Sequence, residues 1–264
     1  MRIERGTAAA MPYAQTGSGR PIVFLAGLSP VTGVARDRIV RTSLGTLGWL
    51  AGTRRITVFN RRPGLPQGMP FAEFAAEQAA ALRALFDAPV DVIGLSTGGS
   101  IAQQLAADHP DVVDRLVLLS TACRLGPLGR DEQREVGQEI RAGRHRRAMA
   151  VAAAGLVPHF GARPVVGTLG WLLAHRAVSA PHDFDDLATT VEAEDTFDLA
   201  RCADIVRART LIVAGRRDRF YGVELFEETA RLIPDSELHV LDRGHITVLR
   251  DPTLRPTLEG FLAR

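Results

Sequence analysis

Short apolar runs alternate along this chain with segments of helical length, and this rhythm constrains the fold more than any other feature of the sequence. Each run has about the length of a β-strand, and most lack the alternation of a strand with one solvated face. The runs are residues 21–26, 55–60, 90–95, 116–120, 210–214 and 237–241, and helices are predicted at 71–86, 97–108 and 224–232. The pattern predicts an α/β fold, with a mostly parallel β-sheet flanked by helices on both faces.

The alternation stops between residues 125 and 195. This stretch shows no convincing strand, but helical patches are predicted at 130–141, 147–156, 164–178 and 183–194. The simplest organisation is one α/β core, residues 1–124 and 196–264, with residues 125–195 inserted as a helical cap. An insertion at this point would lie over the strand ends as a lid. A chain of 264 residues commonly forms one such unit.

The composition excludes several kinds of chemistry. All 32 basic residues are arginine, so the chain can form no lysine Schiff base and contains no P-loop, which needs a lysine after its second glycine. The patterns G-x-G-x-x-G and H-E-x-x-H are also absent from the sequence. The net charge of +2 predicts neither a nucleic-acid nor a membrane partner. We therefore expect no cofactor, no metal and a small-molecule substrate.

The cysteines and the N-terminal segment are relevant to the cellular location of the protein. Cys123 and Cys202 are too few for a disulfide framework and lack metal-type spacing, so we interpret both as packed thiols. No stretch reaches the roughly 18 uninterrupted apolar residues of a membrane-spanning helix. Residues 1–6 carry an acid and lead into no apolar segment typical of a signal peptide. A cytoplasmic location is the default expectation, and a homo-oligomer is left open.

The sharpest chemical signal is the G-x-S-x-G pattern Gly94-Leu95-Ser96-Thr97-Gly98. It lies between a predicted strand and a predicted helix, which is the context that gives the pattern meaning. A serine hydroxyl is a poor nucleophile unless it is exposed, beside a base and near an anion site. The sharp turn supplies the exposure, and the helix directs free N–H groups and its positive dipole end at the site. Ser96 is the predicted nucleophile, and a purely structural turn is the alternative.

Two later segments extend this pattern. Residues 211–218 read Leu-Ile-Val-Ala-Gly-Arg-Arg-Asp, and residues 240–245 read Val-Leu-Asp-Arg-Gly-His. With the motif around Ser96, they resemble the α/β-hydrolase fold, in its branch of cofactor-free esterases, lactonases and related hydrolases. The resemblance spans both ends of the chain and is weak in the predicted insertion. It implies a catalytic triad of Ser96, Asp218 and His245, in the chain order serine, acid, histidine.

The local sequence is consistent with these roles. His245 follows a strand in a loop opened by a glycine, from where an imidazole could reach over the sheet to accept the Ser96 proton. We interpret the other six histidines as surface or core residues. Asp218 follows the strand at 210–214, and its carboxylate could fix the imidazole tautomer. The alternative is a turn aspartate paired with a neighbouring arginine, and Asp242 is the reserve candidate for the acid.

An oxyanion site needs two converging N–H donors. One is expected to be the N–H of Thr97, the residue after the nucleophile. In the family, the other belongs to the residue after a His-Gly pair in the loop that follows a core strand. The matching residues here are Ala26-Gly27-Leu28. The resemblance therefore implies Leu28 as the second donor, with Ala26 in place of the usual histidine.

Three weaker features receive plainer interpretations. Arg61 and Arg62 follow a predicted strand and are interpreted as structural residues. The basic run at 141–147 is interpreted as a solvated face rather than an anion site. His159, Phe160 and Trp171 are candidates for lining the substrate pocket, and cap packing explains them as well.

The sequence as a whole predicts a serine hydrolase that acts on a small-molecule carboxylic ester or lactone through an acyl-enzyme. Carbon–carbon bond hydrolysis and perhydrolysis are alternatives, because both use the same residues on the same fold. A non-catalytic small-molecule receptor is a third interpretation, since a fold does not dictate a function.

Overall fold

The computed structural model describes residues 2–157, 160–180, 182–201 and 206–263. Within these ranges, eight strands form one sheet. The strands are Glu4–Ala8 (β1), Met11–Gly17 (β2), Arg20–Leu25 (β3), Arg54–Phe59 (β4), Val90–Leu95 (β5), Val113–Leu119 (β6), Arg209–Gly215 (β7) and Ser236–Leu241 (β8). Their spatial order is β1-β2-β4-β3-β5-β6-β7-β8. The six strands from β3 to β8 pair in parallel, whereas β1 and β2 are antiparallel at one edge, so the predicted mostly parallel sheet is confirmed.

Helices cover both faces of the sheet. In the described ranges they are Asp37–Leu47 (α1), Phe71–Leu85 (α2), Thr97–Asp108 (α3), Pro127–Arg141 (α4), His145–Gly155 (α5), Arg163–Ala177 (α6), His182–Glu194 (α7), Val223–Leu232 (α8) and Leu254–Ala263 (α9). Apolar residues of α2 and α3 form a core cluster with one face of the sheet. Those of α1 and α9 form a second cluster with the opposite face. This two-sided burial explains why the central strands read as continuous apolar runs.

Helices α4–α7 connect β6 to β7 and are called the helical insertion below. Helix α4 packs on α5 and α7, and α5 packs on α6. The insertion has an apolar cluster of its own, made of Val136, Ile140, Ala148, Met149, Ala174, Phe184, Leu187, Ala188 and Val191. Large apolar side chains on α6 face solvent, namely Val165, Leu169, Trp171, Leu172 and Leu173. Only part of the apolar surface of α6 thus packs against the rest of the insertion, and the remainder is exposed.

A buried acid joins three strands to the C-terminal helix at the amino-terminal edge of the parallel strands. The Asp91 side chain is 1% exposed, and it accepts hydrogen bonds from Arg115 Nε at 2.9 Å and Arg54 Nη1 at 3.0 Å. Both arginines also donate to the carbonyl oxygen of Leu262 in α9, at 2.7 and 2.9 Å. Burial of a carboxylate is tolerated because charged donors satisfy it.

Two expectations about the chain concern thiols and membranes. Cys123 is a buried free thiol, as expected, and Cys202 lies outside the described residues. In the part of the chain that the structure describes, every helix is too short or too polar to cross a membrane.

Candidate active site

The turn between β5 and α3 holds Ser96 in a backbone conformation that residues with a Cβ rarely adopt. Its φ is 50° and its ψ is −124°, and the helix begins at the next residue. Such a conformation costs about 1–3 kcal/mol and persists where the surroundings enforce it. The glycines of the motif allow the backbone segments around this turn to lie very close together. A Cβ on Gly98 would lie 2.2 Å from the Leu25 carbonyl oxygen, and one on Gly94 would lie 2.5 Å from the Gly99 Cα. The sharp turn leaves Ser96 half-buried at the carboxyl edge of the parallel strands.

Three of the predicted site residues form one hydrogen-bonded chain. Nε2 of His245 lies 3.0 Å from Oγ of Ser96. Nδ1 of the same ring lies 2.7 Å from Oδ2 of Asp218. Asp218 and His245 are each 5% exposed. His245 is 149 positions from Ser96 and 27 positions from Asp218 in the sequence. The three residues meet because strands β5, β7 and β8 end at the same edge of the sheet.

The two aspartates that the sequence offered as the acid have different surroundings. Asp218 follows β7, where its second carboxylate oxygen accepts the Phe220 N–H at 2.9 Å, so both oxygens have partners. Asp242 has an exposed side chain and forms an ion pair with Arg217. The neighbouring arginine therefore pairs with Asp242, and the histidine contacts Asp218.

The imidazole of His245 is held on several sides. The Phe220 ring lies 4.7 Å from it between centroids, and the Tyr221 ring stacks at 6.0 Å with an interplanar angle of 26°. The Ser120 hydroxyl donates to the His245 carbonyl oxygen at 2.7 Å. Burial raises the pKa of Tyr221, so this phenol stays neutral. The histidine thus has little room to rotate away from Ser96.

The loop after β3 comes close to Ser96. A Cβ on Gly27 would lie 3.5 Å from the Ser96 Cβ, so a small residue fits this contact. Leu28, the next residue, is half-buried and packs against the apolar cluster of the insertion. Thr97 is the first residue of α3, where a backbone N–H has no partner within its own helix. Both predicted oxyanion residues therefore lie beside the nucleophile.

Two residues after β4 hold that loop through hydrogen bonds to its backbone carbonyl oxygens. The Asn60 amide donates to the carbonyl oxygens of Val31 at 2.7 Å and Gly33 at 3.1 Å. Nη2 of Arg61 donates to the Ser29 carbonyl oxygen at 2.6 Å. The interpretation of Arg61 as structural agrees with these contacts, but its side chain is buried, which the sequence did not indicate.

A buried acid, Glu194, lies at the end of α7 and was not singled out by the sequence. Its carboxylate accepts hydrogen bonds from Thr97 Oγ1 and Ser100 Oγ, both at 2.8 Å, and from Gln133 Nε2 at 3.2 Å. Burial raises the pKa of this carboxyl, and the three donors oppose the shift. A glutamate near a helix end usually faces solvent, so no local signal marks it.

One group of side chains in the insertion has the composition of a metal site. Potential ligand atoms of His182, Asp183 and Asp186 lie within 4.8 Å of one another. However, both carboxylates already accept several N–H groups: Asp183 those of Ser179 and Ala180, and Asp186 those of residues 64 and 65. These hydrogen bonds attach the neighbouring loops to α7, and they already satisfy both carboxylates.

The weaker sequence features lie on the insertion. In the run 141–147, Arg141 pairs with Glu192, and the half-exposed Arg144 pairs with the buried Glu139, so both arginines are held in ion pairs within the insertion. Trp171 is 43% exposed, and the Arg146 guanidinium lies 4.6 Å from its ring. His159 is outside the described residues, and so is the side chain of Phe160.

Comparison with known proteins identifies the family of this chain. Residues 59–252 match the family model of the α/β-hydrolase fold, and the chain belongs to this family. A pyrrolizixenacetamide deacetylase of Xenorhabdus hominickii is 24% identical over 181 residues, which are 68% of this chain and 67% of that protein. The curated relatives that the chain matches are covered over 19% to 67% of their own lengths.

Solved structures resemble the chain over nearly its whole length. The enol-lactonase of Burkholderia xenovorans LB400 superposes with a TM-score of 0.77 at 21% identity, covering 99% of this chain and 100% of that one. Est816, described as an N-acyl homoserine lactone degrading enzyme, gives a TM-score of 0.71 at 26% identity, with coverages of 98% and 100%. These likenesses show the same fold as the family model does.

Proposed function

We propose that this chain is a serine hydrolase of small-molecule carboxylic esters or lactones, with Ser96, His245 and Asp218 as its catalytic triad. The observation that carries the proposal is the continuous hydrogen-bonded chain from Asp218 through His245 to Ser96, with distances of 2.7 and 3.0 Å. It joins a nucleophile, a base and an acid that orients the base, which is the arrangement that serine hydrolysis requires.

In the acylation step, Oγ of Ser96 attacks the substrate carbonyl carbon and its proton passes to Nε2 of His245. The buried Asp218 carboxylate, hydrogen-bonded to Nδ1, stabilises the imidazolium that forms. The tetrahedral intermediate then collapses, and His245 gives its proton to the departing alkoxide oxygen. An ester of Ser96 remains. In a lactone the departing oxygen stays attached to the acyl group.

In the deacylation step, a water molecule loses a proton to His245 and attacks the Ser96 ester. A second tetrahedral intermediate forms, and its collapse returns the proton to Oγ of Ser96 and releases the carboxylic acid. Each step places a negative charge on the former carbonyl oxygen. The N–H groups of Thr97 and Leu28 are the proposed donors to that oxygen, and each donor is worth about 10²–10³-fold in rate in enzymes of this type.

The relatives and the insertion support the proposed substrate class. The deacetylase relative cleaves an acyl group according to its name, and the name of Est816 supports a lactone within the same proposal. Residues 125–195 are the proposed cap, because the insertion contacts Leu28 and Thr97 beside the nucleophile. No cofactor or metal enters the proposed chemistry.

The test combines turnover with labelling. The wild type is incubated with p-nitrophenyl acetate to octanoate and with N-acyl homoserine lactones, and separately with a fluorophosphonate probe. Turnover and a probe adduct located on Ser96 by mass spectrometry are expected. Ser96→Ala should lower kcat by about 10⁵–10⁶-fold and abolish the adduct. Binding of these substrates without turnover, together with no adduct, would instead favour a receptor.

A further inference from the structure

We infer that Glu194 is a positioning residue for the oxyanion site, through which the helical insertion sets the geometry of α3 directly after the nucleophile. The inference rests on the proposed function, because it assigns a role to Glu194 in that same reaction. Glu194 touches none of the reacting atoms and acts through Thr97.

The first support is the set of donors around the carboxylate. Oε2 accepts from Thr97 at 2.8 Å and Oε1 accepts from Ser100 at 2.8 Å, so the two oxygens hold residues one and four positions after Ser96. Gln133 of α4 donates to Oε2 at 3.2 Å. The acid is 1% exposed. One buried group therefore joins α4, α7 and the first turn of α3.

The second support is that the other half of the oxyanion site is also held from the insertion. Leu28 packs against the apolar cluster of the insertion. Further along the same loop, Thr32 donates its backbone N–H to Asp183 at 3.2 Å and its hydroxyl to Asp186 at 2.9 Å. Both acids are residues of α7, as Glu194 is. The first turns of α7 thus contact the loop that bears Leu28, and the last residue of α7 contacts Thr97.

The third support is electrostatic. Burial lowers the pKa of Arg61 to about 10, and the nearby carboxylates of Asp186, Glu194 and Asp183 oppose the shift. Arg61 therefore remains a cation at neutral pH, and through Nη2 it holds the Ser29 carbonyl oxygen. Replacing one of these three carboxyl groups changes the electrostatic surroundings of this cation. Glu194 is thus coupled to both sides of the oxyanion site, by a hydrogen bond to Thr97 and by its proximity to Arg61.

A small displacement at this place has a large kinetic effect. An oxyanion donor is effective only when its N–H points at the position of the developing charge, and one donor is worth about 10²–10³-fold. The Thr97 hydroxyl is fixed by Glu194, and the Thr97 N–H belongs to the same residue. A partly misdirected donor should therefore lower kcat by about tenfold and leave substrate binding nearly unchanged.

The experiment compares Glu194→Gln with Glu139→Gln, which is the same change at another acid of the insertion. In the part of the chain that the structure describes, the Glu139 side chain pairs with Arg144 and Arg147 of the insertion and forms no hydrogen bond or ion pair with α3. Active sites are counted with the fluorophosphonate, and kcat and KM are measured per active site. Inhibition by a trifluoromethyl ketone carrying the same acyl chain is measured as well, since its adduct places an alkoxide in the oxyanion site.

For Glu194→Gln we expect kcat to fall about tenfold with KM within about twofold, and the inhibition constant of the ketone to rise by about the same factor. Glu139→Gln should keep the wild-type values. A Glu194→Gln protein with wild-type kcat and wild-type ketone affinity, whatever its melting temperature, would show that the acid is only structural and overturn the inference.

A second pair of variants covers the case in which Glu194→Gln does not fold. Thr97→Val removes the hydroxyl donor but keeps the side-chain shape and the N–H, and it should lower kcat and ketone affinity in parallel. Ser100→Ala removes a donor to the same carboxylate one turn later and should have a smaller effect. Equal effects of the two changes contradict the inference. A wild type that neither hydrolyses esters nor labels at Ser96 refutes the proposed function itself, which is a different result.

Discussion

At the scale of single residues, two aspartates that follow neighbouring strands differ in how well their surroundings suit the acid of the proposed triad. Asp218 follows β7 and Asp242 follows β8, and both are close in sequence to arginines. The structure buries Asp218 against His245, whereas it leaves Asp242 in solvent with Arg217. An exposed ion pair of this kind contributes little free energy. We therefore expect substitution of Asp218 to lower activity strongly and substitution of Asp242 to change it little.

Asp218→Asn should lower kcat by about 10⁴-fold, because an amide no longer holds the imidazole in the tautomer that accepts the Ser96 proton. Asp242→Asn is the matched control and should stay within about twofold of the wild type. The measurement is kcat on the best p-nitrophenyl ester, per folded molecule. If the large loss occurs in Asp242→Asn and not in Asp218→Asn, the assignment of the acid is wrong.

The residues near Ser96 differ in how far the sequence could predict them. The Ser96 region is specified locally, because the turn, the glycines and the helix start all lie within 94–98. His245 and Asp218 are predicted from the family resemblance together with their positions after strands. Glu194 and the burial of Arg61 could not be predicted this way, because both depend on contacts between distant parts of the chain. Glu194, for example, meets Thr97 across 97 residues. A helix-terminal glutamate has the same local sequence whether it is solvated or buried.

At the scale of elements, the crossing of α3 over β3 depends on a residue without a side chain. Gly98 lies so close to the strand that a Cβ would be 2.2 Å from the Leu25 carbonyl oxygen and 2.5 Å from that of Ala26. Both contacts are with backbone, which cannot move aside as a flexible side chain can. The strand and helix would have to separate.

Gly98→Ala should destabilise the protein by about 3 kcal/mol or more, at the upper end of overpacking effects. The matched control is Gly45→Ala in α1, where a Cβ would have no neighbour within 4 Å and φ is ordinary. This change should stabilise by about 0.5–1 kcal/mol through helix propensity. Urea denaturation of both variants measures the difference. An unchanged midpoint for Gly98→Ala would mean that the elements are not so closely packed.

Elements differed in how clearly the sequence marked them. The buried strands from β3 to β7 were predicted to within a few residues because they are continuous apolar runs. Elements outside these runs were not predicted, among them β1, α1 and α9, and each of these three has a weak local signal. The edge strand β1 is Glu-Arg-Gly-Thr-Ala, α1 contains β-branched residues and a glycine, and α9 contains Pro256 in its first turn. Tertiary packing, rather than propensity, forms these elements.

At the scale of the whole molecule, the sheet has two polar ends with different roles. The carboxyl ends of the parallel strands carry the candidate active site. The amino ends carry Asp91, which is buried with Arg54 and Arg115 and thereby fixes the Leu262 carbonyl oxygen of α9. The strands separate the two clusters. Stability and activity should therefore respond to different substitutions.

Asp91→Asn should lower the free energy of unfolding by about 3–5 kcal/mol, because it leaves buried guanidinium groups without their anion. The kcat of the remaining folded enzyme should be unchanged. Asp114→Asn is the matched control at the same edge; its side chain is 45% exposed, and a loss within about 1 kcal/mol is expected. Chemical denaturation and active-site-normalised turnover measure the two quantities. A change in kcat for Asp91→Asn would show that the two ends are coupled.

The contacts of α7 also bear on how this protein could be recombined with others of its family. The helical insertion is an attractive unit for grafting, because the chain enters it after β6 and leaves it before β7. Here a graft that replaced 125–195 alone would remove the carboxylates that accept hydrogen bonds from Thr32 and Thr97. It would also remove the carboxylates whose charge opposes the lowering of the Arg61 pKa. The exchangeable unit is therefore discontinuous: the helices together with these three positions of the core. A chimera library that keeps them together should retain more active members than one cut at the strand ends.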